Sequence, residues 1–292
     1  MINSNTSAEK SYNKHLDDEK NNRVSNNLPS CYSNPESIDA WRHDRMRNNI
    51  LPLMNLYSDA KWITLGDGRF GSDAYYLKKH GLDVLATSIS DETISVAHEL
   101  GFIDKYDKAN AENIKKEDNS FDFVFCKEAF HHFPRPFIAL YEMLRVADKG
   151  VVLIEPQENK SRLLDYLKRL AKKILRKNTN LYFEVTGNFI YRINLKELSK
   201  VMTAINLKYV AYKRLNDFYF SAQGNNSMKT WNKAKLLTLF GVAIQNILCK
   251  LRLMDYGLAA VVLFKEDVTK EKLKELKKNG FYIIELPVNP YL

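Results

Sequence analysis

Cysteine is scarce in this 292-residue chain: Cys31, Cys126 and Cys249 lie far apart and form no CxxC or Cys/His cluster. That spacing excludes a zinc ribbon or a disulfide framework and points to a reducing compartment. Long apolar runs are missing too. The longest uncharged stretch in an apolar part of the chain is Leu236–Cys249, well short of the roughly 20 residues a spanning helix needs. The first thirty residues hold no apolar segment of the secretory-leader kind. A cytoplasmic protein is expected. The rest is ordinary globular material, 45% hydrophobic and 27% charged, enough for a large α/β domain held by its own core.

The net charge is +9, from 44 Lys+Arg against 35 Asp+Glu, and it is unevenly spread. Lys160, Arg162, Lys168, Arg169, Lys172, Lys173, Arg176 and Lys177 face a single acid, Asp165. Leu163, Leu164, Leu167, Leu170, Ala171, Ile174 and Leu175 recur among them at helical spacing. The segment 160–177 therefore reads either as a solvated surface helix docked through its Leu stripe or as a helix lying on an anionic membrane surface. No RNA-reading module or interleaved aromatics accompany the charge, so no nucleic-acid partner is expected.

Residues 1–34 are polar, rich in Asn, Ser and Lys, and without apolar period, which predicts a disordered tail. A helix over Ser37–Leu51 follows, ending near Pro52. Strands and helices then alternate. Strands are predicted at Lys61–Gly66, Asp83–Ser88, Lys105–Lys108, Phe121–Cys126 and Gly150–Glu155. Helices are predicted at Ser72–His80, Asp91–Leu100 and from Pro136 onward. Such βα units build a Rossmann-like, doubly wound and mostly parallel sheet, with its ligand edge at the strand C-termini. Beyond it, Asn194 caps a helix with Glu197 at its third position. Leu207–Leu215 and Gly257–Lys265 supply the last two of seven strands, with a long apolar helix, Lys229–Leu253, between them as core or interface material.

Gly66, Gly68 and Gly71 form GxGxxG directly after the first strand and before a helix, where the backbone must turn tightly and approach a ligand without Cβ atoms in the way. The loop alone serves several nucleotide cofactors. An NAD site needs an acid at the end of the second strand, where this chain has Ser88; Ser88 with Arg69 leaves NADP open.

The strings NAENIKKEDNSFDFVFCKEAFHHF and YEMLRVADKGVVLIEP, in register with the glycine loop, resemble the class I S-adenosylmethionine-dependent methyltransferases of small molecules. The resemblance covers about Trp62–Pro156. It implies cofactor contacts from Gly66, Asp67, Gly68 and Gly71, from Ser88 and Ile89, and from Asn110, Ala111 and Glu112 beside the adenine. Lys127 and Glu128, next to Cys126, would lie beside the methionine part. Three positions depart from the family, which has acids where this chain has Thr64, Ser88 and Asn110. Each can still hydrogen-bond, at a cost of about 1–2 kcal/mol of binding where a charged acceptor is lost.

Methyl transfer from a sulfonium mainly requires alignment of the acceptor and exclusion of water, and a hydroxyl acceptor also benefits from a base. His131 and His132, after the fourth strand, are the candidate bases, His132 ahead because it is nearer the Phe133-Pro turn. Glu128 is a second candidate. Glu155 could orient an acceptor, and Tyr191, Arg192, Asn216 and Asp217 are candidates for its pocket. No run of carboxylates or His clusters in sequence, so no metal is expected. The expectation is one methyltransferase domain over 35–292, with its cofactor-binding half at 35–157 and acceptor-side and insertion elements at 158–292. It would methylate a hydroxyl of a small-molecule or glycan-like acceptor. An NADP-dependent oxidoreductase and a non-catalytic module of the same fold are the alternatives.

Overall fold

The computed structural model describes residues 4–25, 28–158, 170, 182–184 and 186–291. Its elements are α1 (Ser4–Ser25), α2 (Ser30–Ser33), α3 (Ile38–Arg47), α4 (Leu51–Leu56), β1 (Lys61–Thr64), α5 (Ser72–Lys79), β2 (Asp83–Ser88), α6 (Ile94–Glu99) and β3 (Tyr106–Lys108). They continue with β4 (Phe121–Lys127), α7 (Pro136–Val146), β5 (Ala147–Pro156), α8 (Leu195–Ala204), β6 (Tyr209–Leu215), α9 (Lys233–Lys250), β7 (Leu258–Phe264), α10 (Lys270–Lys278) and β8 (Tyr282–Glu285). The basic segment 160–177 lies outside the described residues, Leu170 excepted.

Both faces of the sheet are buried, and successive strand side chains, pointing to opposite faces, feed two separate cores. Trp62, Phe123, Phe125, Val152 and Ile154 enter one apolar cluster, whereas Ile63, Val124, Cys126, Val151 and Leu153 enter the other. Trp62 stacks on Phe123 with ring centroids 4.7 Å apart. The first face is covered by α4, α5, α6 and α10; the second by α7, through Ala139, Leu140 and Met143, and by α8, through Leu198 and Met202. Strands buried on both faces read as unbroken apolar runs, as Leu258–Phe264 does.

The strand order is β3-β2-β1-β4-β5-β7-β6-β8. β1 to β5 pair in parallel, and β7 runs antiparallel to both β5 and β6. The doubly wound sheet is as expected, with one strand more than the seven predicted. β8 pairs antiparallel with β6 at the sheet edge, and Tyr282 stacks on Tyr212 at 5.3 Å. Its four residues are half-exposed, so they carry little apolar signal.

Two local expectations change. Pro52 does not end a helix: it occupies the first turn of α4, where its missing N–H costs nothing. The capping box at Asn194 is half made. Its side chain accepts from the Lys196 N–H at 2.9 Å, but Glu197 turns to the Tyr191 hydroxyl.

The larger correction concerns residues 1–34. Instead of a disordered tail, the chain forms the 22-residue helix α1, whose inward positions Ala8, Ser11, Tyr12, His15 and Glu19 recur at three- and four-residue spacing. Most of those side chains are polar, so a search for an apolar stripe passes over them. Their polarity follows from what they face, which is a cleft and not a core.

Candidate functional site

β1, β2 and β4 end at one edge of the sheet, and the loops that leave them build the cleft. The first is Gly66–Gly71. Gly66 (φ +71°) presses on the turn after β4: a Cβ there would sit 2.5 Å from the Ala129 Cβ. Gly71 (φ +63°) opens α5 and packs on Ile103. Asp67 is buried and caps α5, accepting the N–H groups of Asp73 (3.1 Å) and Ala74 (2.8 Å). Burial and the neighbouring Asp73 push its carboxyl up to about 7. Thr64, where the family has an acid, donates to Asp67 at 3.1 Å and fixes the loop. Arg47, fully buried, ties α3 to α5 through Asp73 at 2.7 Å.

The loop after β4 is held by one carboxylate. Glu155, with no exposed surface, accepts the backbone N–H groups of Ala129 and Phe130, each at 2.9 Å, and pairs with His131 Nδ1 at 2.6 Å. Burial disfavours charge on His131, but the Glu155 carboxylate outweighs it and holds the imidazole above its ordinary pKa. His132, one-third exposed, pairs through Nδ1 with Glu184 at 2.5 Å, and its ring lies 4.0 Å from that of His131. Burial would raise the Glu184 carboxyl, but the bond from His132 dominates and brings it down to about 2.

Two adjoining cavities result. One, about 540 Å³ of empty space including its open side, is lined by Gly66, Ser88, Ile89, Ala109, Ala111, Ala129, His132 and Phe133, with Tyr12, His15 and Glu19 from α1. The other, about 660 Å³ counted the same way, is polar. Arg42, Asp67, Arg69, Asp73, Lys127, Glu128, His131 and His132 surround it. Gly66 and His132 belong to both. An apolar slot beside a polar chamber, bridged by a glycine that tolerates no Cβ, suits a ligand with a flat adenine-like end and a zwitterionic end.

The expected site residues thus divide. Gly66, Ser88, Ile89 and Ala111 line the slot, and Asp67, Lys127, Glu128, His131 and His132 line the chamber. Gly68 lies against Ser88 and Glu19. Asn110 turns its side chain back to the Glu112 N–H, and both Glu112 oxygens are taken by Arg135. Glu128 is held down to about 2, because Lys127 and Arg42 outweigh its burial; an ion-paired acid of this kind is a poor base. Asn216 and Tyr191 are absorbed in packing, Asn216 against Asn246 and Cys249, Tyr191 against Phe130 and Phe137. Asp217 reaches the chamber indirectly, through Arg42 at 2.6 Å.

Sequence reasoning missed Glu184, Tyr12, His15 and Glu19. Glu184 is 52 positions from His132 and sits in no regular element. The fold also gathers His131, His132 and Glu184 with ligand-capable atoms within 4.8 Å of one another, a grouping the sequence did not show. Each His directs Nδ1 to a carboxylate of its own, His131 to Glu155 and His132 to Glu184, so the cluster holds two hydrogen-bonded pairs side by side.

Comparison with known proteins agrees with this geometry. Residues 63–154 match the family model described as a methyltransferase domain. The matched segment runs from β1 into β5 and holds the glycine loop and the turn after β4, so this part of the chain is similar to a methyltransferase domain. A curated relative, norajmaline N-methyltransferase of Rauvolfia serpentina, is 28% identical over 147 residues, 46% of this chain. The match spans half of that enzyme's length. Among solved structures, the Burkholderia thailandensis 1,6-didemethyltoxoflavin-N1-methyltransferase with bound S-adenosylhomocysteine superposes with a TM-score of 0.53 at 12% identity, covering 91% of this chain and 92% of that one. A Synechocystis magnesium protoporphyrin IX methyltransferase gives 0.46 at 13% identity, covering 77% and 84%. At 12% identity the Burkholderia structure speaks for the fold alone.

The His131–Glu155 pair has a pH signature. A histidine whose folded pKa lies above its unfolded value stabilises fully below about 6.5, and that stabilisation fades as pH rises through the folded value. His131→Asn is expected to destabilise the protein most near about pH 6 and least near about pH 9, in urea denaturation compared at both. A gap that does not change with pH would mean that the pair carries no charge in the folded state.

Proposed function

We propose that the chain transfers the methyl group of S-adenosylmethionine to a hydroxyl of a small-molecule or glycan-like acceptor, with His132 as the base. The observation that carries this is the His132–Glu184 dyad at the junction of the two cavities. The cofactor supplies an activated methyl group. The slot (Ser88, Ile89, Ala109, Ala111, Phe133) would hold its adenosine end and the chamber (Asp67, Arg69, Lys127) its charged end. Glu184 fixes Nδ1 of His132 as the protonated nitrogen, which leaves Nε2 as the acceptor. Nε2 makes no hydrogen bond among the described residues. It can therefore take the proton of an acceptor O–H as the oxygen attacks, while the carboxylate steadies the imidazolium that forms. His131 is less suited to the same role, because its ring is more buried and its partner Glu155 is also engaged in holding the backbone of the turn after β4. NADP fits less well, because the group beside Ser88 is the Glu19 carboxylate, which would repel a 2′-phosphate.

A nitrogen acceptor is the second reading, favoured by the sequence similarity to norajmaline N-methyltransferase. It uses the same base to deprotonate an ammonium. Labelled S-adenosylmethionine offered to panels of alcohols, glycans and amines separates the two by the product, a methyl ether or a methylamine. For a hydroxyl acceptor, His132→Asn is expected to lower kcat by about 10²-fold or more, with S-adenosylhomocysteine affinity changed far less. Unchanged kcat would remove His132 from the chemistry.

We also propose that the acceptor is met at an anionic membrane surface. Among the described residues no helix is long and apolar enough to cross a membrane. Yet α9 exposes Leu236, Phe240, Ile244 and Ile247, flanked by the exposed Trp231 and Leu251. Residues 229–254 contain five Lys or Arg and no acid, which gives that face the charge of an interfacial helix. It is rooted beside the chamber, since Asn246 bonds Asn216, next to the Asp217 that holds Arg42. The protein is expected to co-sediment with phosphatidylserine-containing vesicles and not with neutral ones, and the F240E/I247E double variant should stay in the supernatant. Equal sedimentation of variant and parent would contradict the proposal.

A further inference from the structure

The family's acid at the end of β2 is absent here, and the structure shows what stands near its place. Ser88, buried at the tip of β2, donates through Oγ to Oε1 of Glu19 at 2.5 Å, across 69 positions of sequence. The same oxygen lies 2.5 Å from where a Cβ on Gly68 would be, so the carboxylate rests on the glycine loop itself. Only 9% of Glu19 is exposed, and its second oxygen, Oε2, is buried without a hydrogen-bond partner among the described residues. No Lys or Arg pairs with it there. Burial pushes the carboxyl up to about 7, and Asp91 and Glu92 add to the effect. Those two acids have cations of their own, Lys108 and Arg23.

A buried carboxylate with one orphaned oxygen is unfavourable unless something donates to it. It lines the slot beside Ser88 and Ile89, next to alanines and Phe133 that suit a flat base. The missing donors are hydroxyls. A vicinal diol gives a carboxylate two O–H donors, and charge-assisted bonds of this type are the strong ones.

We propose that Glu19, carried into the cleft by α1, is the ribose-binding acid of this enzyme and takes the 2′,3′-diol of the cofactor together with Ser88. The assignment rests on the S-adenosylmethionine reading of the site. It makes α1 a wall of the cofactor cleft, with Tyr12 and His15 on the same face. It also explains how Ser88 is tolerated: the charge has moved from the end of β2 to a helix before the domain. The same carboxylate sets specificity, because it welcomes a free diol and opposes a phosphorylated ribose.

The test is calorimetric titration of the full chain and its Glu19→Gln and Glu19→Ala variants with S-adenosylhomocysteine and with its 2′,3′-dideoxy analogue. Both substitutions are expected to weaken S-adenosylhomocysteine by about 10-fold or more, while changing affinity for the dideoxy analogue by less than about 3-fold. Equal losses for both ligands would assign Glu19 to seating the helix and overturn the proposal. So would unchanged affinity for S-adenosylhomocysteine in both variants. Failure of the parent protein to bind S-adenosylhomocysteine at all would instead overturn the cofactor reading, and this assignment with it.

Discussion

A carboxylate with no exposed surface must be fully compensated, and the way Glu155 is compensated organises the functional edge of this protein. Its oxygens take two backbone N–H groups and one imidazole, all from Ala129–His131. That pins the turn after β4 against the end of β5. The pinned turn sets Ala129 against Gly66, which forbids any side chain on the glycine loop there, and projects His132 between the two cavities. Removing the carboxylate would leave three donors unsatisfied at once, so the geometry of the slot, the chamber and His132 between them depends on one residue.

The electrostatics of the chamber follow a similar logic of pairing. Arg47, Lys127 and Arg42 are matched to Asp73, Glu128 and Asp217. These pairs fix side chains of both signs around the polar cavity; buried pairs of this kind are stronger as positioning devices than as sources of stability. Glu128 also sits at a positive backbone φ (+50°) in the turn after β4. Strain of that kind in a non-glycine residue is commonly found where a site demands a fixed geometry.

The sheet was legible because its information is local. The apolar run Phe123–Cys126, a glycine loop between strand and helix, and Pro136 opening α7 are all readable from neighbours in sequence. The half-exposed β8 was not, since four residues at a sheet edge carry no apolar period. The same limit hid the cleft's outer wall. Tyr12, His15 and Glu19 fall on one face of a helix, but that face is polar and borders a cavity in place of an apolar core, so composition alone suggests disorder. Glu184 was hidden for another reason: its meaning lies entirely in its contact with His132, and sequence distance conceals contact.

Hydrogen exchange of the full chain with and without S-adenosylhomocysteine tests the whole account in one measurement. Slowed exchange is expected in three separate stretches: the glycine loop at 65–74, the end of β2 at 88–89, and α1 around 12–19. Protection confined to other segments, or none in the glycine loop and α1, would contradict a cofactor cleft walled by the N-terminal helix.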